Sequence, residues 1–492
     1  MQTSAIDKKP PYLIIAILFF GAFVSFLNNS LLNVALPTIM ADFNKDYSTV
    51  QWLATGYMLV SGILIPVSAF LITKFKNRHL FITAMVLFTL GTGMAAFAPN
   101  FGILLAGRMV QAAGSSVMGP LLMNVMLVSF PREKRGTAMG VFGLVMITAP
   151  AIGPTLSGYI VEYYDWRLLF EMILPFAIIS LGLAIWKLEN VMETRNATLD
   201  YLSVVLSVFG FGGLLYGCSM ASSAGWSDLI VIASIAVGVF GIISFVVRQI
   251  KLDEPLLDLR VYKYPMFALG SVISMVNAAA MFSGMILTPV YVQNVRGISP
   301  FEAGLMMLPG AIIMGIMSPI TGKLFDKFGP RILAFVGLTI TAISTFLLSN
   351  LDLNSTYTYI IMIYTIRMFG MSMVMMPIMT NGLNQLPSNL YPHGTAVNNT
   401  AQQVVGAIGT ALFVTLMNSV ATSKGEELAK AVDPSSLADP NVMVSLQQQA
   451  LLEGIQFSFF VATIITVVAL VLTLFLKRVD VSRAKAEQKE QQ

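Results

Sequence analysis

Charge is scarce in this chain. Asp, Glu, Lys and Arg make up 11% of its 492 residues, less than half the roughly 25% of an average globular domain. No soluble fold of that length covers its surface with so few. Cysteine occurs once, at Cys218, which excludes a disulfide framework and a cysteine-built metal site. With histidine only at His79 and His393, a histidine-rich metal cluster is excluded too, and neither metal nor cofactor is expected. The phosphate-cradling G-x-x-x-x-G-K-[ST] loop is missing, since Gly322-Lys323 is followed by Leu324. ATP is therefore not expected as a fuel within this chain. The net charge of +4 would suggest nucleic acid only if the bases clustered on one soluble face, and they do not.

What is present is a series of charge-free stretches. A bilayer core needs about 20 mostly apolar residues per helix. One helix each fits 10–41, 47–73, 79–107, 109–131, 136–161, 168–186, 201–227, 229–247, 264–295, 303–322, 332–351 and 454–476. The stretch 353–423, interrupted only by Arg367, must hold two, broken near Gln385–Gly394 by Pro387, Pro392 and His393. The expectation is an all-α membrane protein of fourteen spans, each satisfying its own backbone hydrogen bonds. The first apolar run is too long for a cleaved signal peptide and reads as a retained span.

Alternating sides from a cytoplasmic N-terminus puts 22 of the 29 Lys and Arg residues inside and 5 outside. That is the positive-inside bias, and it places both termini in the cytoplasm. Arg108 and Arg367 are the two that fall within spans.

The chain also repeats itself. Pro66, Lys74-Phe75 and Arg78 recur as Pro319, Lys327-Phe328 and Arg331, an offset of 253 residues. Arg108 and Asn124 recur as Arg367 and Asn381, at offsets of 259 and 257. Two helices must lie between the copies, giving a 6+2+6 order. The boundaries are 1–190 for the first six-helix bundle, 191–262 for the inserted pair with linkers, 263–478 for the second bundle and 479–492 for a cytoplasmic tail. An outer loop at 421–454 should form a short external helix beginning at Asp439-Pro440. Parallel repeats of this kind build alternating-access carriers, with substrate held between the halves. In the insert, Gly213 and Gly217 have the small-xxx-small spacing that brings helices close.

Candidate functional residues follow from the cost of polar groups in lipid. Arg108 lies about 10 Å into the fourth span and Arg367 about 15 Å into the twelfth, at about 1.5 Å per residue. Both faces should point to a central cavity, because lipid does not accept a guanidinium. Arg108 shares its face with Gln111, Ser115 and Met118, and Arg367 with Gly370, Met371, Val374 and Met375. The competing reading is an arginine bonded to neighbouring carbonyls for stability alone. Asn28, Asn29 and Asn33 in the first span, and Asn398, Asn399, Gln402 and Gln403 in the thirteenth, either bind substrate or join helices. The 31 methionines suit a promiscuous apolar pocket, and equally ordinary membrane packing. Gly153-Pro154-x-x-x-Gly158 in the fifth span predicts a bend or a tight contact, structural or part of a gate. Asp326, Lys327, Gly329 and Arg331 fall on the inner loop after the tenth span, where a carboxylate can cap a neighbouring helix and pair with a base. The first copy, Thr73–Arg78, lacks the acid and the glycine, so one inner latch should be the stronger. No acid sits mid-membrane; Glu171 is near an outer end.

These residues resemble a known family. Asn33-Val34-Ala35-Leu36-Pro37, Arg108-x-x-Gln111-x-x-Gly114, Gly153-Pro154-x-x-x-Gly158 and Asp326-Lys327-Phe328-Gly329-x-Arg331 look like the fourteen-helix drug/proton antiporters of the major facilitator superfamily. His393-Gly394-Thr395-Ala396-Val397-Asn398-Asn399-Thr400 is similar to the lincomycin-resistance type of multidrug exporter. The resemblance covers about residues 12–480 and implies a major facilitator fold in a bacterial cell membrane. It further implies a monomer exchanging protons for small amphiphilic drugs, with Arg108, Gly153, Pro154 and Gly158 in coupling or gating. The chain departs from the family at Asn28, where many members carry an acid, and at Gln402, where an arginine is common. A lipid or lipid-like exporter is the alternative; a nutrient symporter and a membrane enzyme fit less well.

Overall fold

In a computed structural model of the chain, residues 11–45, 47–195, 198–432 and 439–478 are described. They contain α-helices and short 3-10 or π turns, and no strand. The first six helices are α1 (Tyr12–Asp42), α2 (Tyr47–Lys74), α3 (Asn77–Ala96), α4 (Phe101–Ser129), α5 (Arg135–Tyr163) and α6 (Leu168–Lys187). The insert is α7 (Tyr201–Ala224) and α8 (Leu229–Lys251). Then come α9 (Pro265–Val290), α10 (Pro300–Phe328), α11 (Pro330–Leu348), α12 (Tyr357–Ser372), α13 (Met375–Gln385), α14 (Tyr391–Ala431) and α15 (Pro440–Thr473). With α12 and α13 counted as one span, fourteen helical segments among the described residues are long and apolar enough to cross a membrane.

The helix starts are written in the sequence. Proline opens α9, α10, α11 and α15, where its missing N–H costs nothing. Side chains of Asn100, Asp228, Ser299, Thr356 and Asp439 accept the first free amides of α4, α8, α10, α12 and α15.

Within the first six, α3 packs on α4 and α6, and α1 on α5. In the last set, α9 packs on α13, α14 and α15, and α11 on α12 and α15. The two sets meet where α5 lies along α10 and α2 along α14. The inserted helices pack on each other, and α7 also touches α2 and α14. A Cβ on Gly213 would stand 2.9 Å from the Gly238 amide, so α7 and α8 approach as closely as the glycine spacing predicts. Their ends at Asp200 and Arg248 are tied by a two-armed ion pair of 2.6 and 2.9 Å. Arg248 holds the Asp200 carboxyl well below the usual carboxylate range. The outer face of α8 exposes Leu229, Ile230, Phe240 and Ile243, a surface for lipid rather than water.

Three local expectations change. The break expected at Gln385–Gly394 is present, but a second interrupts the same span at Met373–Val374. Pro377 has no N–H for the Met373 carbonyl, and Met373 and Val374 instead close tighter bonds to Gly370 and Met371. The stretch 421–454 is not a loop with its own short helix. Asp439 does cap a helix there, but that helix is α15, which runs unbroken into the last span, while α14 reaches Ala431. Lys424 links the two extensions, 2.8 Å from Glu427 and 3.7 Å from Glu453. Finally, Asp326 and Lys327 belong to the last turn of α10 and Arg331 to the first of α11, leaving Gly329 alone as the connection. Its φ of +80° is one that a side chain resists.

The continuous α15 makes the first prediction. Backbone amides of residues 443–453 should exchange with deuterium at helix-protected rates in the membrane-embedded protein. Exchange at loop rates up to about Gly454 would contradict the extension.

Candidate functional site

Arg108 and Arg367, the arginines of the spans, are solvated by protein, each in its own half. Arg108 on α4 is fully buried. Its Nη1 donates to Gln111 Oε1 at 2.9 Å and its Nε to the Leu53 carbonyl at 3.4 Å. Its guanidinium lies 4.3 Å from the centre of the Tyr57 ring. Gln111 is the hub of this network. The same Oε1 accepts from Asn28 Nδ2 at 3.2 Å, and Gln111 Nε2 donates to Thr92 Oγ1 at 2.8 Å. Helices α1, α2, α3 and α4 thus converge on one cation. Tyr57 continues the chain, its hydroxyl sharing a 2.5 Å hydrogen bond with Ser115.

Arg367 on α12 has a simpler shell. It donates to the Ala280 carbonyl, to Thr345 Oγ1 at 3.1 Å and to Ser283 Oγ at 3.5 Å. A side chain at Gly284 would occupy the space of the guanidinium.

Between the halves lies a cavity of about 260 Å³. From the first half it is lined by Asn29 of α1, Tyr57 and Ser61 of α2, Ser115 and Ser116 of α4 and Met146 of α5. The second half contributes Asn277 and Phe282 of α9, Met375, Met376 and Met379 of α13, and Asn399, Gln402 and Gln403 of α14. No lining residue is charged. Ser61 Oγ, Ser274 Oγ and Asn277 Oδ1, on residues of this wall, are buried without a partner among the described residues.

Of the predicted cavity residues, Asn29, Met375, Asn399 and Gln402 line it. Asn28, Gln111, Met118, Met371 and Asn398 do not. Asn28 and Gln111 are consumed by the arginine network, while Met118 is buried in the core of the first half. Met371 packs with Ile147, Met314 and Tyr364, and Asn398 is buried on α14 outside the lining. The side chains of Asn33 and Pro154 lie outside those described. Arg108 itself points into its own bundle, one layer behind Tyr57, because a carbonyl and an amide there replace water for the guanidinium. Sequence reading missed Tyr57, because a tyrosine on a span is as ordinary at the membrane interface or in helix packing as in a cavity wall. Ser116 and Asn277 were passed over as well, whereas Met379 stands among the methionines that crowd the twelfth span.

At the end of the molecule where α5 begins and α10 finishes, the halves are latched. Asp326 accepts from the Gly136 and Thr137 amides at 3.0 and 2.9 Å and from Thr137 Oγ1 at 2.7 Å. It caps the positive end of α5 from across the interface. Only glycine fits at 136, where any Cβ would strike Asp326 and the α10 backbone. The expected base does not pair with this carboxylate. Arg478 instead donates to the Asp326 and Lys327 carbonyls, and Lys327 lies over Phe328. A second tie, unforeseen in the sequence, is Arg135: Nη1 donates to Tyr391 Oη at 2.8 Å and Asn384 Oδ1 at 3.2 Å. Its neighbours Arg132 and Lys134 make it look like any positive-inside base. The first-copy loop is tied instead to the segment after α6: Asn77 Nδ2 donates to the Glu189 carbonyl at 2.9 Å, and the Thr73 carbonyl accepts from the Arg195 amide at 2.9 Å.

Further along α5, Gly153 leaves room for Ser30 of α1 within the first half, and Gly158 faces Phe301 of α10 across the seam. Helix α5 is continuous there, so the segment is a tight contact and not a break. Glu171 is exposed in the first turn of α6, away from the cavity.

Paired six-span sets around a neutral central cavity define a membrane carrier, and comparison with known proteins specifies which. Residues 18–410 match the Major Facilitator Superfamily, and the chain belongs to that family. It is 47% identical to the MFS-type transporter YcnB of Bacillus subtilis (strain 168) across 97% of this chain and 98% of that one. It is 44% identical to the lincomycin resistance protein LmrB of the same organism, covering 94% and 95%. In fold it is similar to the human organic anion transporter MFSD10, with a TM-score of 0.63 at 11% identity, over 93% of this chain and all of that one. The chain is thus a multi-pass membrane transporter rather than an enzyme.

The Gln111 hub yields a direct test. Gln111→Leu leaves the Arg108 Nη1 donor and the Asn28 amide unpaired in a buried site, at a cost of about 1–3 kcal/mol. Thermal unfolding in detergent should shift down for Gln111→Leu and much less for Gln111→Glu, which keeps the acceptor. Equal shifts would remove the hydrogen-bonding role.

Proposed function

We propose that this transporter exports small amphiphilic molecules, lincosamide-like antibiotics and dyes among them, by alternating access driven by proton antiport. Both termini are cytoplasmic in this reading, and the chain works as a monomer in the cell membrane. The observation that carries it is the cavity wall. Flexible Met375, Met376 and Met379 face Asn29, Asn277, Asn399 and Gln402, with no fixed charge among them. Such a wall adapts to varied apolar bodies and offers hydrogen bonds to a polar end. At about 260 Å³ the cavity is smaller than the roughly 300–1,000 Å³ of sites for drug-sized ligands, so the halves must part to admit one. The names of the lincomycin and multidrug resistance relatives support the same substrate class.

In this mechanism Asp326 and Arg135 hold the cytoplasmic end shut while the cavity faces outward. Gly153 and Gly158 let α5 slide against α1 and α10 in the reverse step. Tyr57 links substrate to Arg108, because the ring that touches the guanidinium also lines the cavity. Arg367 serves as the fixed counterpart in the second half. The cavity wall offers the proton no carboxylate, so its carrier lies outside that wall, and the arginine network transmits the change in helix packing rather than the proton itself.

The uncharged wall also suits a lipid-like guest, which keeps lipid export as the second reading. Vesicles that move labelled lipid faster than empty ones, while leaving drug gradients untouched, would establish it in place of drug export.

In vesicles with an imposed pH gradient, the wild-type chain should expel dye only while the gradient lasts. Arg108→Ala should abolish that efflux with membrane insertion intact; unchanged efflux would take Arg108 out of the mechanism. Asp326→Asn keeps the shape but weakens the cap on α5. Cysteines placed in the cavity wall should then label several-fold faster from the cytoplasmic side, and unchanged labelling would show that the cap is not a gate.

A further inference from the structure

A groove of about 890 Å³ opens on the flank of the molecule, between the inserted pair, the α8–α9 linker, α9 and α14. Its walls are apolar, with Phe211, Ile242, Phe245 and Val246 on one side and Val404 and Val405 on the other. Its rim carries Lys251, Arg260 and Lys263. Arg260 is held in place by Asp258 at 3.1 Å and by the Leu252 and Asp253 carbonyls at 3.0 and 3.1 Å. Lys251 and Lys263 are exposed, and neither takes part in an ion pair among the described residues. The acid left at the rim is Asp253, since Asp258 is engaged by Arg260.

We propose that this groove holds an anionic glycerophospholipid of the surrounding leaflet, its acyl chains against Phe245 and Val246 and its phosphate between Lys251 and Lys263. The vertical order of the groove is that of the lipid. Apolar walls belong to membrane-spanning α7, α8, α9 and α14, while the cations sit where α8 ends and the linker begins. Basic pockets between spans at the leaflet surface recognise anionic head groups in this way. Tyr262 at the same rim sits at the interfacial level that aromatic rings favour. A zwitterionic lipid would bring its own cation to a rim already rich in them, so charge selects phosphatidylglycerol over phosphatidylcholine. The inserted helices gain a role by this assignment, since without α7 and α8 the groove has no outer wall.

The test needs no transport and so stands apart from the efflux reading. The full chain is taken into nanodiscs of equal phosphatidylglycerol and phosphatidylcholine, released, and its retained lipids are counted by native mass spectrometry. The wild type should retain one phosphatidylglycerol in preference to phosphatidylcholine. Lys251→Gln/Lys263→Gln should lower that retention about tenfold, and so should Val246→Trp, which fills the groove without touching charge. Lys187→Gln/Lys323→Gln removes two cations at the same end outside the groove and should leave retention unchanged. Equal retention of both lipids, equal loss in the Lys187/Lys323 control, or a loss in only one of the two groove variants would each overturn the assignment.

Discussion

A guanidinium cannot be left bare inside a bilayer, and the architecture of this protein is arranged around two of them. Removing water from Arg108 is offset by a ring of carbonyl, amide and aromatic partners drawn from α1, α2, α3 and α4. That convergence fixes how those helices are rotated about their own axes. Rotation in turn decides which residues are left for the cavity. Because Gln111 must face the cation, Ser115 and Ser116 come to face the space between the halves. Arg367 imposes the same kind of order on α9, α11 and α12 with fewer contacts. Polar groups in lipid are costly singly and useful together, and here the network gives the first bundle a single packing.

The contacts between the halves have a different character. They are end-capping and glycine contacts, which close without burying a salt bridge and open without stranding a charge in lipid. Asp326 meets backbone amides, and Arg135 meets a phenol and an amide oxygen. Each of these groups lies near a helix end, where water can take over once the halves separate. Rigid interiors joined by a replaceable seam are what a carrier that rocks between two states requires.

The fold was legible in the sequence because bilayer thickness acts on every span alike. Charge-free stretches gave fourteen crossings, and the Pro66/Pro319 and Arg108/Arg367 offsets gave their grouping. The joints were less legible, since the kink at Met373 and the fusion of 421–454 into long helices depend on single residues such as Pro377 or on the absence of a breaker. Asn29, Met375, Asn399 and Gln402, which line the cavity, could be singled out because polar or flexible side chains stand out on apolar helices. Asn28 and Gln111 stood out equally but sit in the Arg108 network and not in the cavity wall. Their partners are each other, Arg108 of α4 and Thr92 of α3, and nothing local in a sequence shows which side of a helix a partner from another helix approaches. Arg135 was hidden among loop bases of the same charge.

The one-residue joint at Gly329 has a mechanical consequence. With no slack between α10 and α11, the two helices form an elbow whose arms cannot swing separately at that end. Any force that draws Asp326 away from α5 is delivered at once to α11 and, through Arg478 on the Asp326 and Lys327 carbonyls, to the segment that follows α15. The second half therefore answers the release of a single carboxylate as one lever, with its fulcrum at a glycine.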